Sequence, residues 1–334
     1  MENITALEFT GELKYQPQPG ERDSQTGEVL YPYLANISEG LVEAVNLAIR
    51  LNRPLLLEGE PGCGKTQLAK AVAYEFSKRY GVKYPYASWY IKSTEQARDG
   101  LYTYDAVRRL YDAQFATSDP LEQDKIRKRL NDPTHKFYIA WGAIGQAFRA
   151  SKDKHRMVVL IDEIDKADTD FPNDLLLELE EKWFLVKETG EEVRANPDFS
   201  PLIFITSNAQ RKLPDAFLRR CLYHYIEFPK ESTLLKQIVK ARFGKNWREN
   251  LTDLALHRFL AIREEMEDER GEFGKKVSIS ELIDWFNALN LQQSPSQIEK
   301  LLKQPNIPYS GTLLKTKEDL EFIQAGYEGD DEDE

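Results

Sequence analysis

Residues 55–73 read Leu-Leu-Leu-Glu-Gly-Glu-Pro-Gly-Cys-Gly-Lys-Thr-Gln-Leu-Ala-Lys-Ala-Val-Ala, and no other stretch constrains the chain so tightly. Leu55, Leu56 and Leu57 form a short apolar run suited to a buried parallel strand, and from Thr66 to Phe76 apolar residues recur at helical period. Gly59–Thr66 is therefore a strand-to-helix turn with the spacing G-x-x-x-x-G-K-T. Gly59, Gly62 and Gly64 permit backbone conformations closed to residues with a Cβ, so successive N–H groups can turn inward around phosphate oxygens. The helix that starts near Lys65 adds its positive end. In such a turn Lys65 reaches the β- and γ-phosphates as a point charge and the Thr66 hydroxyl ligates Mg²⁺. Glu60, Pro61, Cys63 and Gln67 complete the residues expected around the nucleotide. Average residue frequencies produce this motif by chance in roughly one chain in a hundred of this length, and the framing strand and helix make chance rarer.

A second apolar run, Met157–Ile161, ends in Asp162-Glu163. An acidic residue at the end of the parallel strand neighbouring a phosphate turn holds Mg²⁺ through water, which assigns Asp162 to the metal. The next carboxylate, Glu163, is placed to polarise an attacking water. Asp165, Asp168 and Asp170 read as helix-capping acids. A third run, Leu202–Ile205, is followed by Thr206-Ser207-Asn208, and an Asn at the end of a strand beside the phosphate strand can orient the lytic water. Downstream, Leu213-Pro214-Asp215-Ala216 leads into the adjacent Arg219 and Arg220.

Taken in order, residues 1–28 are polar with breakers at Pro17, Pro19, Gly20 and Gly27, and are expected to form an extended arm or loosely attached hairpin. Leu41, Val42, Val45, Ala48 and Ile49 mark one helical face, opened by an Asn36/Ser38 cap and closed at Asn52-Arg53-Pro54. Lys83–Lys92 suggests a strand. The Leu101-Tyr102-Thr103-Tyr104 run that follows could grip a client from the pore of a ring or belong to the core. Residues 118–136 look inserted, with a basic helix at Lys125, Arg127, Lys128 and Arg129, which reads as a solvated face or a phosphate contact. Residues 184–194 read as a β-hairpin turning at Gly190. Ile226–Phe228 is expected as the last strand. From 230 to about 325 the pattern is helical only, with a capping box at Ser278 and Glu281. The expected organisation is an arm (1–28), an α/β nucleotide-binding domain (29–228), a small helical lid domain (229–325) and a disordered acidic tail (326–334).

The net charge is −11, yet six acidic residues fall within the last seven, so the remainder carries only −5. That balance argues against a broad basic face for duplex nucleic acid, although a local basic channel stays open. Two cysteines, Cys63 and Cys221, make no disulfide framework and suit a reducing compartment. No apolar run reaches membrane-spanning length and Met1-Glu2-Asn3-Ile4 carries no signal pattern, so a cytoplasmic location is expected.

With these features in order, roughly residues 30–300 resemble the AAA+ ATPases, and within them the MoxR-like branch. The resemblance implies a P-loop NTPase fold, a parallel-sheet core sandwiched by helices with an all-helical C-terminal lid. It implies that Gly59–Thr66 is Walker A, Asp162-Glu163 is Walker B and Asn208 is sensor 1. Arg220 aligns with the arginine finger, with Arg219 beside it. It implies ATP and Mg²⁺, assembly into a homo-oligomeric ring of six subunits, and work on a protein client, in many relatives with a von Willebrand A-domain partner. A nucleic-acid motor of a restriction system and an ATP-dependent assembly scaffold are the other readings open at this point. The chain departs from the family where a sensor 2 arginine often stands in a Ser-Pro-Arg setting. Here the residues are Ser278-Ile279-Ser280, so either Ser280 replaces the arginine or Lys275 or Lys276 substitutes for it.

Overall fold

A computed structural model describes residues 7–23, 27–115, 120–244, 248–271, 274–291, 294–304 and 306–329. These fall into two compact units, one formed from the described residues within 7–10, 40–58 and 66–225, the other from those within 11–39, 59–65 and 226–329.

Among the described residues of the first unit, the strands are β1 (Leu55–Gly59), β2 (Tyr86–Tyr90), β3 (Tyr102–Tyr104), β4 (Ile139–Trp141), β5 (Val158–Asp162), β6 (Trp183–Val186), β7 (Glu191–Arg194), β8 (Leu202–Thr206) and β9 (Leu222–Ile226). Its helices are α1 (Leu41–Leu51), α2 (Lys65–Tyr80), α3 (Ala106–Phe115), α4 (Pro120–Leu130), α5 (Ala143–Lys152), α6 (Phe171–Asp174), α7 (Leu176–Glu181) and α8 (Asp215–Leu218). The main sheet runs β2-β5-β8-β1-β9. Leu55 pairs with Phe204, Val159 with Ile203 and Tyr90 with Asp162, all in parallel register. Both faces are covered, which is why β5 and β8 are apolar at consecutive positions instead of alternating. Ile144, Ala147 and Phe148 of α5 pack into one core with Val159, Ile161, Ile203 and Ile205. The strand order corrects one expectation: β5, which carries Asp162, is separated from β1 by β8, so the strand that ends near Asn208 is the direct neighbour of the phosphate strand.

Two ribbons stand apart from the main sheet. The β6–β7 hairpin forms as expected, with Phe184 opposite Val193. The β3–β4 ribbon pairs Tyr102 with Trp141 across the segment that holds α3 and α4. This settles the character of two expected pore grips. Leu101 and Tyr102 are buried, Tyr102 stacks on Phe184, and its hydroxyl accepts from the Lys187 N–H at 3.0 Å. They are core residues because a two-stranded ribbon needs an apolar face to bury. Tyr104 packs on Tyr138 and His135.

Other boundaries shift for local reasons. Helix α1 starts after Gly40 in a left-handed conformation, without a side-chain cap, and the Asn36 amide instead donates to the Gly11 carbonyl. Helix α7 ends at Glu181, and Trp183 already belongs to β6, one residue before the start expected for the 184–194 hairpin. The last strand is β9, four residues earlier than expected at its start. The N-terminal segment is held firmly: Phe9 is wholly buried and exchanges two 2.8 Å hydrogen bonds with the Asn46 side chain, while the Thr10 N–H donates to Glu75 at 2.7 Å. Within the second unit the Arg242 guanidinium lies over the Tyr31 ring.

Lys182 ends α7 in the left-handed region, and burial lowers its ammonium to about 8 from the usual 10.5. Below pH 8 the fold carries a poorly solvated charge; from pH 8 to 10.5 the folded chain sheds that proton while the unfolded chain keeps it, so native stability gains with pH. Lys182→Met should therefore raise the urea midpoint at pH 7, with the advantage shrinking as pH approaches 10.5. An advantage independent of pH would contradict the burial account.

The second unit's described elements include α9 (Ser232–Phe243), α10 (Glu249–Arg270), α11 (Ile279–Leu289), α12 (Pro295–Leu302) and α13 (Lys317–Gly329). Leu256, Phe259, Ile262, Leu282, Trp285, Phe286, Ile298 and Leu302 share its core. The capping box at Ser278 forms as expected. Helix α12 was not foreseen, and α13 extends through residues 326–329, expected in the tail. Residues 330–334 lie outside the described residues.

Candidate nucleotide site

The phosphate turn has the backbone its glycines suggest: φ is +151° at Gly59, +78° at Gly62 and +96° at Gly64. Space at Gly62 is tight as well, since a Cβ there would lie 2.2 Å from the Ser280 Oγ and 2.4 Å from the Ser278 Oγ, and both hydroxyls would have to move. Lys65 is buried, its Nζ donating to the carbonyls of Gly59 (2.7 Å) and Glu60 (3.0 Å). Pro61, Gly62 and Gln67 are exposed. Burial pushes the Cys63 thiol up, against the lowering effect of Lys65, so Cys63 is a filler of the turn with little thiolate character.

In the first unit, Thr66, in the first turn of α2, donates its hydroxyl to Asp162 at 3.0 and 3.2 Å. Thr206, at the end of β8, donates to the same carboxylate at 2.6 Å and accepts from the Glu163 N–H at 2.8 Å. One hydroxyl thus fixes both carboxylate residues. Glu163 sits at φ +59°, a left-handed turn that separates its side chain from that of Asp162. Its Oε1 accepts from the Asn208 Nδ2 at 3.0 Å and its Oε2 pairs with Lys166. Asp165 is buried and accepts from the N–H groups of Asn208 and Gln210, so it shapes the turn after β8 and is more than a helix cap. Thr66, Asp162, Glu163 and Asn208 are therefore brought together as the sequence suggested. The roles of Thr206 and Asp165 were missed, because a Thr ending a strand and an Asp inside a 3₁₀ turn carry no spacing signal.

Thr206→Val keeps the shape but leaves Asp162 and the part-buried Glu163 N–H short of a partner each, a loss of about 1–3 kcal/mol. Urea unfolding checks it; a variant as stable as the parent would mean that other groups take over both bonds.

The arginine pair lies elsewhere in this unit. Arg220 donates from Nε to Glu180 at 2.5 Å and from Nη1 to the Ala216 carbonyl at 3.0 Å, while Arg219 is exposed. Their loop is pinned by Arg53, read from sequence only as part of a helix stop, whose guanidinium collects the carbonyls of Arg219, Arg220 and Cys221. In the second unit, Lys275 pairs with Asp319, away from the phosphate turn, whereas Lys276 and Arg263 both reach Glu60. Arg263 was not foreseen.

A parallel sheet with a glycine-rich phosphate turn after one strand and an Asp-Glu pair after another defines a P-loop nucleotide-binding protein. The chain belongs to the AAA domain family, dynein-related subfamily, which it matches over residues 54–221. Among solved structures it is similar to PCH-2 of C. elegans, at 19% identity, over 89% of this chain and 68% of that one, with a TM-score of 0.37. No curated protein matches it.

Proposed function

We propose that this chain is a MoxR-type ATPase that hydrolyses ATP to ADP and phosphate in a homo-oligomeric ring, a hexamer, and uses the cycle to remodel a protein client, with a von Willebrand A-domain protein as a candidate partner. The observation that carries this reading is the set Thr66–Asp162 and Asn208–Glu163, each pair within about 3 Å and both fixed by Thr206.

The donor set fits magnesium: the Thr66 hydroxyl and the Asp162 carboxylate are hard oxygen groups side by side, as Mg²⁺ prefers. Held by Thr66 and Asp162, the metal would supply charge neutralisation for the triphosphate. The chain's own residues do the rest. Lys65 exchanges its loop carbonyls for phosphate oxygens. Glu163, oriented by the Asn208 amide, accepts the proton of the water that attacks the γ-phosphorus as the bond to ADP breaks. A finger from the neighbouring subunit, Arg220 or its exposed neighbour Arg219, stabilises the transferring phosphoryl group. Chemistry of this kind yields motion and leaves no phosphorylated product.

In the α4 basic run Arg129 pairs with Asp112 at 3.3 Å while Lys125, Arg127 and Lys128 are exposed, so the argument against a nucleic-acid motor rests on the mildly acidic charge balance of the chain. ATP turnover should be insensitive to duplex DNA between about 50 and 200 mM salt; strong DNA stimulation that collapses across that range would replace the remodeller with a DNA motor.

A further inference from the structure

Glu60, the second residue of the phosphate turn, is held in an unusual way by the helical unit. The Arg263 guanidinium, on the middle of α10, meets both oxygens of Glu60 at 2.7 Å from one nitrogen. Its other terminal nitrogen donates to the Val277 carbonyl at 2.5 Å, and the group lies 3.6 Å over the Phe228 ring. Lys276 adds a second cation, 3.8 Å from Glu60 and 3.5 Å from Glu267. The Arg263 and Lys276 side chains are only 6% and 3% exposed. Two buried cations on one partly exposed carboxylate cost much desolvation, so simple stability is a poor reason for them. The hydroxyls of Ser278 and Ser280 also approach the turn two residues further along, where a Cβ on the exposed Gly62 would lie 2.4 and 2.2 Å from them.

We propose that Glu60 is the coupling residue of this ATPase: Arg263 and Lys276 grip the phosphate turn by the Glu60 carboxylate and so link helices α10 and α11 to nucleotide binding without an arginine at position 280. This rests on the reading of Gly59–Thr66 as an ATP site. When phosphates reshape the turn, the displacement of Glu60 is passed to Arg263 and through its Val277 bond to the start of α11. Glu60, Arg263 and Lys276 are positioning residues in this account; none touches a reacting atom.

The test measures Mg²⁺–ATP binding and hydrogen exchange on the full chain, with Lys65→Ala as control. In the parent, saturating ATP should protect amides of both α2 and residues 259–282. In Glu60→Gln, and separately in Arg263→Gln, ATP should bind about 5- to 150-fold more weakly, the range of ordinary coupling energies. At saturation these variants should still protect α2 but lose the added protection at 259–282. The double variant should be no weaker than the worse single one. Protection of 259–282 retained in Glu60→Gln, or binding losses that simply multiply in the double variant, would overturn the proposal. If Arg263→Gln fails to fold, Glu60→Gln decides alone, because its exchange readout compares the same variant with and without ATP. A parent chain that binds no ATP would instead sink the ATP-site reading.

Discussion

Arg220→Ala should lower the ATP turnover number by about 10³ to 10⁵, the contribution of an arginine finger, with ATP binding retained. The structure makes this a clean experiment. The Arg220–Glu180 ion pair has partners 38% and 51% exposed, and such pairs contribute only ~0–1 kcal/mol. The variant therefore stays folded, and its lost activity reports the lost charge at the phosphoryl group. On the proposed reading the finger acts on a neighbour's nucleotide, which predicts complementation. A Lys65→Ala subunit cannot hold ATP but still presents Arg220, so mixing it with Arg220→Ala should restore part of the activity that neither variant has alone. A fully active Arg220→Ala would move the role to Arg219, whose side chain is already exposed.

Glu163→Gln should cut turnover by about 10² to 10⁴, the usual worth of a general base, while leaving ATP bound. Glutamine is isosteric and keeps an oxygen to accept from the Asn208 Nδ2; besides basicity it loses the Lys166 ion pair, whose partners are 44% and 35% exposed and which contributes only ~0–1 kcal/mol. Thermal unfolding separates the two effects. At 100 times its dissociation constant a ligand adds about 2.7 kcal/mol of stability, so ATP should still raise the melting temperature of Glu163→Gln and should leave Lys65→Ala unmoved. The same variant, arrested with ATP bound, is the bait for a protein client. Undiminished turnover in Glu163→Gln would remove Glu163 from the chemistry.

The parts of this site that the sequence announces are those with short-range grammar. The strands at 55–59 and 158–162 are legible because a parallel strand buried on both faces is an unbroken apolar run, and the residues proposed for the chemistry follow immediately at each end. The capping box at Ser278 is legible for the same reason, with both partners within four residues. What stayed hidden is long-range. Nothing near Arg53 announces that its guanidinium will collect carbonyls some 167 residues away, nor that Arg263 will find Glu60 across 203. The β3–β4 ribbon is of this kind too: Tyr102 meets Trp141 only after a helical insertion closes, so its aromatic run looked free to face outward. The order β5-β8-β1 is likewise a property of pairing between distant strands, and no single strand's pattern encodes it.

Steady-state ATP hydrolysis per subunit, measured across a wide range of protein concentration, tests the central claim most directly. A site completed by a neighbour's arginine predicts near-zero activity in dilute solution, rising more steeply than in proportion to concentration and levelling off as rings fill. Activity per subunit that is constant from the most dilute sample upward would contradict it, and would mean that each chain carries a complete site of its own.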